Sequence, residues 1–83
     1  MLLNVEAVIR DAARRRRTLV IRYRKKEDNI TNSYSLEPYE FSDGYFWGFD
    51  LVDGHIKKFI QDRILEATVT QTRFVPRFPV KIH

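Results

Sequence analysis

The chain has no cysteine and only two histidines, His55 and His83, among its 83 residues. Without cysteine it forms neither a disulfide nor a thiolate metal site, a composition that is compatible with a reducing compartment. With so few histidines, neither a nucleophile–base pair nor a histidine metal cluster has support in the sequence. We therefore expect a protein that is not an enzyme, with no catalytic residues, no metal and no cofactor.

Long apolar runs are missing as well. The opening segment MLLNVEAVIR has no apolar stretch of signal-peptide length, and no part of the chain approaches the roughly 20 apolar residues of a membrane span. A composition of 43% hydrophobic and 31% charged residues is that of a globular protein, and the length suits one core. We expect a single cytoplasmic domain over residues 1–83 that does not contact a membrane.

Positive charge is concentrated in the N-terminal third of the chain. The net charge is +4, and nine of the fifteen basic residues lie between Arg10 and Lys26, where Asp11 is the only acid. Seven of the eleven acids lie between Glu37 and Glu66. Such an asymmetric distribution favours a polyanionic partner.

The first predicted element is a helix over about residues 5–16. Its apolar positions recur at the spacing of one helical face: Val5, Val8, Ile9, Ala12 and Ala13. Asp11 and Arg15 form an acid-before-base pair four residues apart, and cations suit the C-terminal end of a helix. These effects explain part of the arginine run structurally, and its excess predicts nonspecific phosphate contacts by Arg14, Arg15 and Arg17.

After Thr18 the apolar period becomes two, which is typical of strands. The turns KEDN, FSDG and VDG and the bend QDRI separate five short strands, and Pro38 is expected to interrupt the pairing of the second strand. Trp47 and Phe49 are expected in the core. Because a short meander protects its edges by closing on itself, we predict an α+β, mainly β fold. An N-terminal helix would precede a five-stranded antiparallel SH3-like or Sm-like barrel over about 18–71, with a tail at 72–83.

Four spaced segments, LVIRYR, LEPY, GYFWGFD and IKKFIQDRI, resemble the WYL domain family over about residues 5–75. This resemblance implies an Sm-like or SH3-like barrel. It also implies a ligand-sensing or nucleic-acid-binding module of the kind found in bacterial transcription regulators, in defence-system regulators and in some helicases.

The chain departs from the family pattern at two places. The three-letter signature falls on residues 44–46, where only Tyr45 is retained, and Ile60 stands where the family tends to carry a basic residue. Lys57 and Arg63 match basic positions of the ligand-binding surface that the resemblance implies.

Aromatic and basic side chains together predict a site for nucleic acid. Single strands are held by cations that meet phosphates and by aromatic faces on which bases stack. The candidates for stacking or hydroxyl contacts are Tyr23, Tyr39 and Tyr45, and the candidates for charge are Arg22, Arg24, Lys57 and Arg63. On a regular strand Tyr23 cannot share a face with Arg22 and Arg24, so these residues belong to different surfaces or the tyrosine is core.

Three hypotheses follow for the function. The first is a regulatory or accessory module that binds single-stranded nucleic acid, single-stranded DNA above all. The second is a sensor of a small anionic nucleotide or oligonucleotide in transcription regulation. The third is a protein interaction or dimerisation module in which the apolar tail FVPRFPV takes part, as a homodimer or attached to a larger regulator or helicase.

Overall fold

A computed structural model describes residues 4–82, which form one helix followed by five strands. The elements are α1 (Val5–Arg14), β1 (Arg17–Arg24), β2 (Thr31–Ser42), β3 (Tyr45–Asp50), β4 (His55–Ile60), a 3₁₀ turn (Gln61–Arg63) and β5 (Ile64–Arg73). A tail over residues 74–82 follows β5. Residues 1–3 and 83 of the predicted domain lie outside this description.

The five strands form one antiparallel sheet in the order β4-β3-β2-β1-β5. The predicted mainly β fold with one helix and five antiparallel strands is thereby confirmed. Within residues 4–82, β4 and β5 are the two ends of the sheet and do not pair with each other, so the sheet is open. No helix in this part of the chain is long and apolar enough to cross a membrane.

The helix α1 begins at a side-chain cap and ends at a left-handed residue. The Asn4 Oδ1 accepts a hydrogen bond from the Ala7 amide at 2.7 Å, which satisfies one of the free amides of the first turn. Arg16 has φ of 55°, so α1 ends two residues before the predicted Arg16. The buried face of the helix packs against the sheet through Ile9, Ala12 and Ala13.

The strand β2 is long because it pairs with different neighbours along its length. Residues 31–36 pair with β1, and residues 36–42 pair with β3 across an irregularity between Pro38 and Glu40. The strand continues through Pro38, but the predicted interruption of the pairing is present, because the pairing with β1 ends at Leu36 and the register with β3 shifts after Pro38. Pro38 lies beyond the part of β2 that pairs with β1, so its missing N–H costs no hydrogen bond to that neighbour.

The two faces of β3 have different roles. Phe46 is fully buried on the inner face, the side toward α1, where Gly48 and Asp50 are also buried. Trp47 and Phe49 are only half-buried on the opposite, outer face, so their predicted place in the core is wrong. The alternation is regular, but its phase differs by one residue from the prediction, and a shift of one residue exchanges the faces.

Candidate nucleic-acid interface

An open depression of about 540 Å³ lies where the β1–β2 turn approaches β4. We call it the tyrosine–lysine depression, because three tyrosines and four lysines contribute to it. Its lining residues are Tyr23, Lys25, Lys26, Glu27, Tyr34, Tyr45, Lys57, Lys58, Phe59 and Ile60.

Three aromatic rings form the floor of this depression. Tyr23 and Tyr34 each meet Phe59 edge to face, with centroids 5.0 and 5.2 Å apart, and the two tyrosine rings lie 6.3 Å apart. The Tyr23 hydroxyl accepts a hydrogen bond from the Ile60 amide at 3.1 Å, which ties β1 to β4. Tyr23 is buried and Tyr34 half-buried, so the floor is fixed by packing and Tyr34 offers the more accessible ring.

Lys57 lies at the side of the depression and already holds two carboxylates. Its Nζ is 2.8 Å from Asp50 Oδ2 and 2.5 Å from Asp53 Oδ2, and hydrogen bonds to these two groups raise the pKa of Lys57. Burial favours a higher pKa for Asp50, but hydrogen bonds from Lys57 and from the amides of Asp53 and Val52 outweigh it and lower that pKa. The charge of Lys57 is thus largely compensated within the β3–β4 hairpin.

The exposed cations of the depression are Lys25, Lys26 and Lys58. Lys25 and Lys26 follow β1 in the turn, and Lys58 places its Nζ 4.3 Å from the centroid of the Tyr45 ring. Glu27 is the one acidic residue among those that line the depression. The rim therefore carries positive charge next to accessible aromatic rings.

The arginines of β1 lie on a different surface from Tyr23, as strand alternation predicts. Arg22 and Arg24 are exposed, whereas Tyr23 between them is buried. Arg22 pairs with Glu66 at 3.2 Å, and Arg63 Nη1 donates to the Arg24 carbonyl at 3.4 Å. None of these three arginines lines the depression.

Tyr39 lies on the outer face, away from the depression, beneath the tail. Its hydroxyl donates to Glu37 Oε1 at 2.7 Å and accepts from the Arg77 amide at 2.9 Å. Only 4% of Tyr39 is exposed, and burial raises the pKa of its hydroxyl to about 12. The structure thus places Tyr39 in a buried polar cluster with Glu37 and Arg77.

The arginine run at the end of α1 also lies outside the depression. Arg14 and Arg15 both contact Asp11, at 3.0 and 2.9 Å, and hydrogen bonds from Arg15 and Arg14 lower the pKa of the Asp11 carboxyl. Arg17 lies opposite Arg73 in the β1–β5 register. Two guanidinium groups therefore share the carboxylate of Asp11, while Arg16 donates to the Ala13 carbonyl.

Among the residues of the depression that the sequence analysis did not predict as site residues are Lys25, Lys26, Tyr34 and Lys58. The KEDN sequence by itself indicates only a turn. A pairing of β1 with β2 already brings Tyr34 beside Tyr23, because the register places them within two residues of each other. The approach of β4 to this turn is a tertiary contact without a local sequence signal.

Comparison with protein families matches the sequence pattern of the WYL domain to residues 4–69, most of the chain. The chain belongs to the WYL domain family. The predicted family is therefore confirmed. Comparison with curated proteins gives no match to this WYL domain.

A solved structure with a similar fold is proteasome accessory factor B/C (PafBC) of Arthrobacter aurescens. The TM-score is 0.73 and the sequence identity 20%, over 88% of this WYL domain and 13% of the PafBC chain. At this identity the likeness shows a shared fold, and the WYL domain spans a small part of the length of PafBC. Between residues 4 and 82, no three histidine or acidic side chains are grouped so that they could hold a metal ion.

Proposed function

We propose that this WYL domain is a regulatory or accessory module that binds single-stranded nucleic acid, single-stranded DNA above all, in the tyrosine–lysine depression. The supporting observation is the convergence of two accessible rings, Tyr34 and Tyr45, with the exposed Lys25, Lys26 and Lys58. We assign no catalytic step to the domain, and we place it in the cytoplasm as part of a larger regulator or helicase.

The chemistry of the depression suits a single strand. A base stacked on an aromatic side chain contributes about 1 to 3 kcal/mol, and lysines at the rim can follow the phosphates. Because the depression is open, a strand can pass through it without a buried terminus. Lys57 has a supporting role, since Asp50 and Asp53 already neutralise it and it lies 5.3 Å from the Tyr34 ring.

The arginines at the end of α1 supply sequence-independent phosphate contacts in the same proposal. Arg14 and Arg15 share the single carboxylate of Asp11, so positive charge is left over there. Contacts of this kind strengthen binding to every sequence and increase its salt dependence. Arg22 and Arg63 have a structural role instead, because their head groups are bonded to Glu66 and to the Arg24 carbonyl.

A second candidate is the sensing of a small nucleotide-like anion in the same depression. Its volume of about 540 Å³ lies within the range of roughly 300 to 1,000 Å³ that is usual for small-molecule sites. The half-buried Tyr34 ring at the floor offers a surface for a single base. A mononucleotide and an oligonucleotide of increasing length distinguish the two candidates, because only a strand gains affinity with each added phosphate and base.

We also propose that the sheet curls into an SH3-like or Sm-like barrel. The supporting observation is that β4 and β5 are the opposite ends of the sheet and yet are joined by only the three residues Gln61–Arg63. Two ends that are so closely connected require a strongly curved sheet. The Tyr23 hydroxyl contact to Ile60 supports the same curvature.

Fluorescence anisotropy with a labelled single-stranded 12-mer, titrated at low and at moderate salt, tests the proposed function. We expect Lys58→Ala and Tyr45→Ala to weaken binding several-fold, whereas the matched variant Lys81→Ala, on the tail, leaves it unchanged. Arg15→Ala should weaken binding to all sequences alike and reduce the salt slope by about one. Equal losses in Lys58→Ala and Lys81→Ala, or no binding at low salt, would contradict the proposal.

A further inference from the structure

We propose that the outer face of the sheet carries a second binding surface, which docks an acidic peptide segment through one large apolar side chain. The surface centres on a small notch of about 200 Å³, whose lining residues are different from those of the tyrosine–lysine depression. We call it the outer notch; it is lined by Tyr39, Glu40, Trp47, Ile56, Phe78, Pro79 and Lys81.

The tail forms one wall of the outer notch and is held in place by polar contacts. Arg77 donates to both carboxylate oxygens of Glu37, at 3.0 and 3.3 Å, and the Lys81 amide donates to the Tyr39 carbonyl at 2.7 Å. Phe78 then packs edge to face against Tyr39, with centroids 5.4 Å apart. A wall fixed in this way is formed before any partner arrives, which lowers the entropy cost of binding.

The other wall of the notch is an apolar strip on β3 and β4. Ile56 on β4 is 38% exposed and Trp47 on β3 is half-buried, and both line the notch together with Phe78 of the tail, which is 46% exposed. An exposed cluster of aromatic and apolar side chains next to a small cavity is typical of a protein-binding anchor site. The notch has room for one large apolar side chain and is too small for a folded element.

The charges around the outer notch indicate which residues of the partner peptide should flank its anchor side chain. Lys58, Arg77 and Lys81 lie around the strip, and the carboxylate that lines the notch is that of Glu40, 4.0 Å from Lys81 Nζ. Arg77 is partly neutralised by Glu37, but Lys58 and Lys81 are exposed. A segment with acidic residues on both sides of its anchor complements this rim.

Nucleic acid is the less suitable occupant of this surface. A base stacks on an open ring face, but Arg77 Cζ lies 4.3 Å from the centroid of the Phe49 ring, and Trp47 is half-buried. Arg77 therefore already covers the Phe49 ring next to Trp47. The remaining opening accepts a single side chain rather than a row of stacked bases.

Nuclear magnetic resonance of the ¹⁵N-labelled protein tests the inference with three peptides. They are Ac-Glu-Glu-Trp-Glu-Glu-NH₂, the same peptide with Ala in place of Trp, and Ac-Lys-Lys-Trp-Lys-Lys-NH₂. The chain has one tryptophan, so the indole N–H of Trp47 gives a single signal at the notch. We expect saturable shifts of this signal and of the Ile56 and Phe78 amides with the first peptide only. No shift, or equal shifts with the alanine or lysine peptide, overturns the inference.

Two variants locate the binding. We expect Ile56→Glu to weaken binding of the first peptide at least fivefold, whereas Leu65→Glu, at an apolar position on β5 that is similarly exposed, leaves the binding unchanged. If Ile56→Glu unfolds the protein, Lys81→Glu provides the same test, because its side chain is 67% exposed. Unchanged affinity in a folded variant overturns the inference. So does self-association of the free domain that Ile56→Glu abolishes, since a second copy would then be the occupant.

Discussion

Replacement of Arg77 by alanine is the most informative test of how the tail is held. The Glu37 side chain is only 5% exposed, and its carboxylate is held by Arg77 and by the Tyr39 hydroxyl. Arg77→Ala leaves this carboxylate buried with one neutral donor. It also removes the guanidinium that lies over the Phe49 ring.

The expected loss follows from the burial of the two partners. Breaking a buried ion pair by removing one partner costs about 3 to 5 kcal/mol. The Arg77 side chain is 49% exposed, so water screens the interaction and reduces this figure, while loss of the cation–π contact adds about 0.5 to 1 kcal/mol. We expect a net loss of about 2 to 4 kcal/mol in the free energy of unfolding. In a domain of this size, that corresponds to a fall in Tm on the order of 10 to 30 °C.

Urea and thermal unfolding, followed by circular dichroism, measure this loss. The control is the pair of variants Glu37→Gln and Glu37→Gln/Arg77→Ala, which complete a double-mutant cycle. We expect the double variant to be more stable than Arg77→Ala, because no unpaired charge is left buried. A loss below about 0.5 kcal/mol in Arg77→Ala, or a double variant no more stable than that single one, would refute the reasoning.

Three further predictions concern the fold. Burial raises the pKa of Tyr39 to about 12, so above about pH 10 the unfolded chain loses a proton that the folded state keeps. The free energy of unfolding, measured in urea, should therefore fall as the pH rises from about 10 towards 12, and this fall should be smaller in Tyr39→Phe. In Gly48→Ala the new Cβ would lie 3.1 Å from Phe46 Cζ, so we expect a loss of about 1 to 3 kcal/mol, and an unchanged urea midpoint would contradict this crowding. Asn4→Ala removes the 2.7 Å bond to the Ala7 amide and should cost about 1 kcal/mol in urea unfolding, whereas a loss within error would argue against the cap.

The sequence predicted the elements of the fold better than their faces. The helical period of α1 and the alternation around Tyr23 are local signals, and both are present in the structure. In β3 the run Tyr45–Phe49 is aromatic at four of five positions, so it contains no polar alternation to set the phase. The glycine of this run sets which face points inward, because Gly48 lies on the crowded inner side beside Phe46, where a larger side chain would not fit.

The candidate site was predictable only in part, because its parts come from distant segments. Tyr23 and Tyr45 line the depression together with Lys57, as a basic and aromatic surface would require. Tyr39 is also a tyrosine, but it is buried by contacts with Arg77, 38 positions away in the sequence. No local sequence pattern indicates this contact. The neutralisation of the Lys57 charge likewise depends on the folded β3–β4 hairpin, which brings Asp50 and Asp53 into contact with Lys57.

The most direct test of the central proposal is a titration of the ¹⁵N-labelled protein with an unlabelled single-stranded oligonucleotide at moderate salt, followed by amide chemical shifts. Binding in the tyrosine–lysine depression predicts the largest shifts at Lys25, Lys26, Tyr34 and Lys58, with smaller shifts at the end of α1. Shifts confined to the arginines of α1, or to the outer notch, would contradict it.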